Sequence, residues 1–234
     1  MQKLIVLACL CFLFSCGNET TSDKLIVKGN IKGLKKGTVY LKKAKDSLLI
    51  TVDSLKIDGN SQFELESDII EPELFFLYLN KNDNLDDRIS FFGNKGITEI
   101  NTTLKNFVFD AKVTGSKQQD VLNEYRLVLS KFNNQNLDLI KENFDAAKAQ
   151  DTALVFKTEK AYKNLERRKY LYTVNFAINN KDSEVAPYLA LTELYNANIK
   201  LLDTVNNSLT PNIKASLYGK ALQRFVDRIK QEEQ

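Results

Sequence analysis

At Gly115-Ser116 the hydrophobic period of this chain changes from two residues to about three and a half, and that switch constrains the fold more than any other feature. Before it lie short apolar, β-branched or aromatic runs: Leu25-Ile26-Val27, Ile31, Val39-Tyr40-Leu41, Leu48-Leu49-Ile50, Leu55 with Ile57, and Phe63 with Leu65. Gly29, Gly33, Gly37 and Asp58-Gly59-Asn60 punctuate them, as turns punctuate strands. Asp58-Gly59 is a hairpin signal, because glycine reaches positive φ without a Cβ clash. Further strands are expected at Leu74 to Leu79, Arg88 to Phe92, Ile97 to Thr103 and Phe107 to Val113. Such regular short strands predict an antiparallel β-sandwich or partly open barrel over residues 25–115.

After the switch, Val121, Leu122, Tyr125, Val128, Leu129 and Phe132 recur at helical spacing. Leu137, Ile140, Phe144 and Ala147 repeat that spacing beyond the polar stretch Asn133 to Asn136, and Val155, Tyr162, Leu165, Tyr172 and Phe176 form another stripe running to about Asn179. Pro187 suits the first turn of a helix through Tyr195. Thr210-Pro211 reads as an N-cap followed by proline at the first helical position, with Ile213, Leu217, Leu222, Phe225 and Ile229 inward. Four or five amphipathic helices over residues 116–231 must bury these stripes together or against the sheet. The expected class is α+β, with the β-sandwich first and the helical domain second.

The first 15 residues have the composition of a signal segment: Lys3, then the unbroken apolar run Leu4 to Phe14. That run is shorter than the roughly 20 residues a membrane-spanning helix needs. Leu13-Phe14-Ser15-Cys16 resembles a bacterial lipobox, although Phe14 departs from its strictest form; the alternative is an ordinary secretory signal with an incidental cysteine. Processing would leave Cys16 as a lipidated N-terminus, and stable anchoring needs at least two hydrophobic signals. Residues 16–24 then form a flexible polar tether. Glu19 and Asp23 resemble the early acidic residues that direct Bacteroidetes-type lipoproteins to the cell surface, against the plainer reading of a solvated linker. The expected location is the cell envelope, at the outer membrane facing the periplasm, with surface exposure as the alternative.

Composition removes many chemistries. Lys+Arg 33 against Asp+Glu 30 gives a formal +3, too weak a field to recruit nucleic acid. With no histidine, no imidazole base or imidazole metal ligand is present. All three cysteines fall within the first 16 residues, so the processed chain has no free thiol.

The stretches Ile31-Lys32-Gly33-Leu34-Lys35-Lys36-Gly37-Thr38-Val39-Tyr40-Leu41 and Val52-Asp53-Ser54-Leu55-Lys56-Ile57-Asp58-Gly59-Asn60-Ser61-Gln62-Phe63 resemble an uncharacterised β-domain, the domain of unknown function of family 4369. That domain begins many Bacteroidetes lipoprotein thiol-disulfide oxidoreductases of the TlpA type. Asp182 to Leu189 and Asn207 to Pro211 are similar to the helical segment that precedes the thioredoxin domain in those proteins. The resemblance covers roughly residues 25–230 and rests on turn and core patterns. It implies that chemistry belongs to a C-terminal thioredoxin domain with Trp-Cys-x-x-Cys. No tryptophan is present and no cysteine follows Cys16, so that domain is expected to be absent and its catalytic residues have no counterparts.

Three constellations compete for a role. Asn80, Asn82, Asn84 and Asp86, alternating with Asp83 and Asp87, offer oxygen ligands to a hard cation, but an EF-hand would need Gly and Glu where Leu85 and Phe91 stand; a solvated hairpin loop is the alternative. Arg167-Arg168-Lys169 is a basic cluster that offers contacts to phosphates or an acidic partner; since its members fan around a helix, a solvated, partly snorkelling face is the alternative. Phe75-Phe76 and Phe91-Phe92 should each send one ring to the core and one toward the helices or a ligand groove. The expectation is a noncatalytic, lipid-anchored binding or scaffolding module, with Cys16 as lipidation site, no catalytic, metal or cofactor residue, and membrane lipid and an envelope protein as partners. The alternative is an accessory subunit of a redox system with a separate thioredoxin-fold lipoprotein. A carboxylate-based hydrolase would need two converging acids that one sequence does not identify.

Overall fold

The computed structural model describes residues 23–45, 48–79 and 88–232. Cys16 with the signal segment, and the Asn80 to Asp87 loop, lie outside the described residues. Eight strands come first: β1 (Lys24–Lys32), β2 (Lys36–Lys45), β3 (Leu48–Asp58), β4 (Gln62–Asp68), β5 (Glu73–Leu79), β6 (Arg88–Gly93), β7 (Gly96–Thr103) and β8 (Lys112–Thr114). They form two four-stranded sheets, β4-β1-β7-β8 and β3-β2-β5-β6, that enclose one core. β4 shows the cause in miniature: Phe63, Leu65 and Ser67 are buried, whereas Glu64, Glu66 and Asp68 face water. Phe75 and Phe91 stack inside the sandwich at 6.0 Å, while Phe92, one residue on, points to the helices.

Four expectations change. Pairing is antiparallel except where β1 runs parallel to β7, Leu25 to Lys32 beside Gly96 to Thr103. The Asp58-Gly59 turn exists, with Gly59 at φ 93°, but it joins β3 of one sheet to β4 of the other, so it is a corner and not a ladder hairpin. There the Asp53 carboxylate accepts the Glu66 N–H at 2.8 Å in place of a backbone partner. Leu48 to Ile57 is one long strand, whereas Phe107 anchors a turn and only Lys112–Thr114 is strand.

The helices are α1 (Lys117–Lys148), α2 (Thr152–Asn179), α3 (Val185–Glu193), α4 (Ile199–Ser208), α5 (Pro211–Lys214) and α6 (Leu217–Glu232). α1 runs unbroken through Asn133 to Asn136, because Phe132, Asn136 and Leu139 continue its seam against α2 and amides cost a helix only tenths of a kcal/mol each, roughly. Ser116 caps α1 by accepting the Gln119 N–H, and Asp151 caps α2 by accepting the Leu154 N–H at 2.9 Å. Gln150, at φ 58°, reverses the chain between them. Thr210-Pro211 does open a helix, the four-residue α5, but the chain turns at Ala215-Ser216 before α6 begins. Pro187 sits in the first turn of α3 as expected, and that helix stops at Glu193.

Two further cores follow. One, with Ala190, Leu202, Val205 and Leu222, joins α2 to α6; the other, with Phe92, Leu122, Tyr125, Phe176 and Leu189, bonds helices to sandwich. In the second, the Phe92 ring meets Tyr188 and Tyr218 edge-on at 5.2 and 5.8 Å. The Leu74 N–H donates to the Tyr218 hydroxyl at 2.9 Å, and the Leu217 N–H at the head of α6 donates to Glu71 at 2.8 Å. All three cores draw only on residues from Leu25 onward.

Candidate functional site

β6 ends its sheet, so alternate N–H and C=O groups along it face away from β5 and need partners. Helix α1 supplies them. The Phe92 N–H donates to Gln119 Oε1 at 2.8 Å, and Arg126 donates to the Ser90 hydroxyl at 3.0 Å and to its carbonyl at 3.4 Å. Gln119 and Arg126 are seven residues apart, two turns on one helix face, and match two residues along the strand. Burial holds the Arg126 pKa below its ordinary value, with Tyr188 and Glu193 acting the other way.

The same face continues outward. Steps of seven from Gln119 and Arg126 reach Asn133, Ile140 and Ala147, and the last two line an open groove between α1 and α2. α1 therefore projects past its last strand contact at Arg126 by about 33 Å at 1.5 Å per residue, carrying α2 back beside it. Inside this hairpin Asn143 donates to Thr158 at 2.7 Å and Asn136 Oδ1 has no partner. The groove measures about 640 Å³, with Ile140, Phe144, Ala147 and Tyr162 as its apolar walls. A smaller cleft through Asn133, Asn136, Glu166 and Lys169 shares Tyr162 and lengthens it toward the sandwich.

The stripe Leu137, Ile140, Phe144 was expected to be buried, and it is not. Leu137 is 63% exposed, Ile140 53%, Phe144 65%, Phe156 71% and Tyr162 44%. Periodicity identified the apolar face correctly, but nothing among the described residues covers it. Single exposed apolar residues are ordinary, whereas Ile140, Phe144 and Tyr162 around one concavity, with Leu137 on the same stripe of α1, mark an interaction surface. Across the hairpin the character reverses: the cleft on its other face is lined by Asp138, Glu142, Asp145 and Asp151 with Lys141. Within the apolar groove charge is balanced, Glu159 against Lys163 and Glu166 against Lys169.

The other sequence candidates fall elsewhere. Arg168 lies over the Phe132 ring at 5.9 Å and Lys169 pairs with Glu193 at 3.3 Å, so the basic triplet fans around α2 as its spacing implies. Phe76 faces the outer surface of its sheet under the Arg88 guanidinium, 4.7 Å from its centroid. A second open cleft of about 480 Å³, on the outer face of the first sheet, mixes polar and apolar lining, with Lys28 paired to Glu64 at 3.2 Å beside Ile97. Among the described residues no three acidic side chains converge as a metal site would require, and no helix is long and apolar enough to cross a membrane. Gln119, Arg126 and the groove were missed in the sequence; the i, i+7 recurrence of Gln119 and Arg126 was the available signal.

Residues 25–122 match the family described as a domain of unknown function, DUF4369. The matched span runs past Gly115 into α1 and takes in Gln119 and Leu122, which tie that helix to β6 and Phe92. No curated protein matches the chain.

Proposed function

We propose that this protein is a lipid-anchored cell-envelope component that acts as a noncatalytic binding or scaffolding module, with the α1–α2 hairpin as its contact surface. One observation carries the reading: a helical hairpin extends past the sandwich and presents three large, half- to mostly exposed apolar side chains, Ile140, Phe144 and Tyr162, around an open groove. The apolar run Leu4 to Phe14 followed by Cys16, and the resemblance to envelope lipoproteins, support the anchored setting. The absence of histidine from the sequence, and of cysteine after Cys16, supports a role in binding and not in turnover.

Two measurements test this. Metabolic labelling with a fatty acid should mark the wild-type protein and leave Cys16→Ser unmarked; equal labelling overturns the anchor. A photoreactive phenylalanine analogue at Phe144 should form discrete adducts in intact cells, and one at Ile97, on the outer face of the first sheet, should not. Silence at Phe144 overturns the contact surface.

A further inference from the structure

We infer that the occupant of the hairpin groove is the hairpin of a second copy of this chain, paired antiparallel about a two-fold axis near Ile140. This rests on the reading of the groove as the contact surface and adds its partner. Three arguments lead to it.

The first is steric. Ile140 follows Arg126 by two steps of seven and so lies within about 40° of it around α1, which opens the groove toward the side where the sandwich stands. A flat bilayer approaching that side meets the sandwich first. What remains free is the outer part of the hairpin, from Phe132 to Ala147, about 22 Å long at 1.5 Å per residue. Another hairpin tip, coming from the opposite direction, fills that length while each sandwich stays at its own end.

The second is self-complementarity. The middle of the free length falls at Ile140, and the Asn143–Thr158 bond sets the level of α2, placing Ala161 and Tyr162 beside it. An antiparallel two-fold there brings Ile140 against its own copy and sets Leu137 of one chain near Phe144 of the other. On α2 it sets Glu159 opposite Lys163 of the second copy, and symmetry makes this pair twice. A balanced groove of this kind selects its own image over a strongly acidic or basic partner.

The third is size. A face about 22 Å long and two helix widths across is on the order of 450 Å² per copy. That is below the roughly 800 Å² per partner of a standard stable interface. The dimer is therefore weak in dilute solution, and anchoring two copies to one membrane raises their effective concentration enough to form it.

The test uses the chain from residue 17, which keeps all three cores and lacks every cysteine. Sedimentation should show a concentration-dependent monomer–dimer equilibrium that Phe144→Glu abolishes. Glu159→Lys and Lys163→Glu should each weaken it roughly tenfold, since symmetry doubles each like-charge contact, and the double exchange should restore it. Under mild oxidation Ile140→Cys should give a disulfide-linked dimer and Ile97→Cys should not. A chain that stays monomeric to its highest soluble concentration, or an Ile140→Cys that never cross-links, overturns the inference. Adducts at Phe144 only with a different protein or with lipid also overturn it, while leaving the wider reading of the hairpin standing.

Discussion

Gln119→Leu tests whether α1 closes the edge of the second sheet. Leucine nearly matches glutamine in volume, so the cavity contribution is small and the lost polar contacts dominate. The Phe92 N–H, beside a fully buried ring, loses the acceptor it holds at 2.8 Å. A buried donor left unsatisfied costs about 1–3 kcal/mol, and the lost bond to Asn123 about 0.5–1.5 more. The expected loss is roughly 2.5 kcal/mol, or about 5–10 °C in Tm for a chain of this size. Chemical denaturation of the two variants supplies the free energies, and hydrogen exchange at Phe92 supplies the location. Asn123→Ala removes the second contact and keeps the edge acceptor, so it should cost under about 1 kcal/mol. If Gln119→Leu falls within about 0.5 kcal/mol of wild type, or Asn123→Ala costs as much, the Phe92 N–H is served by water and α1 does not close the edge.

Gly29→Ala should destabilise by about 4 kcal/mol or prevent folding, because a Cβ there would overlap the Ile100 carbonyl oxygen and approach Phe63 Cζ at 2.8 Å; soluble, natively folded protein by circular dichroism would refute it. Gly59→Ala, with open space around the Cβ but φ at 93°, should cost only about 1 kcal/mol by the same assay. Burial raises the Tyr125 and Tyr218 hydroxyls above their ordinary 10.0, against the Thr173 and Leu74 hydrogen bonds that lower them. The unfolded chain releases these protons first, so the contribution of these two groups to stability is level below pH 10.0 and falls above it, by about 1.4 kcal/mol per pH unit for each group. Tyr218→Phe should reduce that alkaline slope by one proton, measured by denaturation across pH 9 to 11.5, and should lower stability at neutral pH by about 1–3 kcal/mol through the orphaned Leu74 N–H.

The readable parts of this fold are those governed by neighbours in sequence. Alternation marks Phe63 and Leu65 as inward-facing; the conformational freedom of Gly59 marks a turn; Thr210-Pro211 marks a helix start. The missed parts depend on distant partners. Nothing near Leu25 indicates that its strand will lie parallel to one seventy residues later, and nothing near Asp58 shows which sheet each flanking strand joins. Asn133 to Asn136 resembles an interruption because polarity weakens the local stripe, whereas packing against α2 carries the helix through. Gln119 and Arg126 carry polar groups that periodicity assigns to solvent, and only the unpaired edge of β6 gives them work. The groove was half legible: spacing placed Leu137, Ile140 and Phe144 on one face, but amphipathicity cannot distinguish a face covered by its own chain from one left open.

The position of β1 governs the order in which this molecule can assemble. It leads the fold, yet it lies between β4 and β7, so its second neighbour is made about seventy residues after it. The β2–β3 and β5–β6 ladders close over short connections and can form as soon as their strands exist. The first sheet has no such shortcut, because a parallel pair requires a long crossover, and here the crossover contains the whole of the other sheet and β4. Closing so large a loop before any contact repays it makes the β1–β7 ladder the slow step of refolding. Until it forms, β1 has one edge paired and one open, and a chain emerging N-terminus first passes through that state every time. A mutation in β7 should therefore slow folding more than one of equal cost in the β2–β3 ladder, and stopped-flow refolding of Thr98→Ala against Thr38→Ala would show the difference.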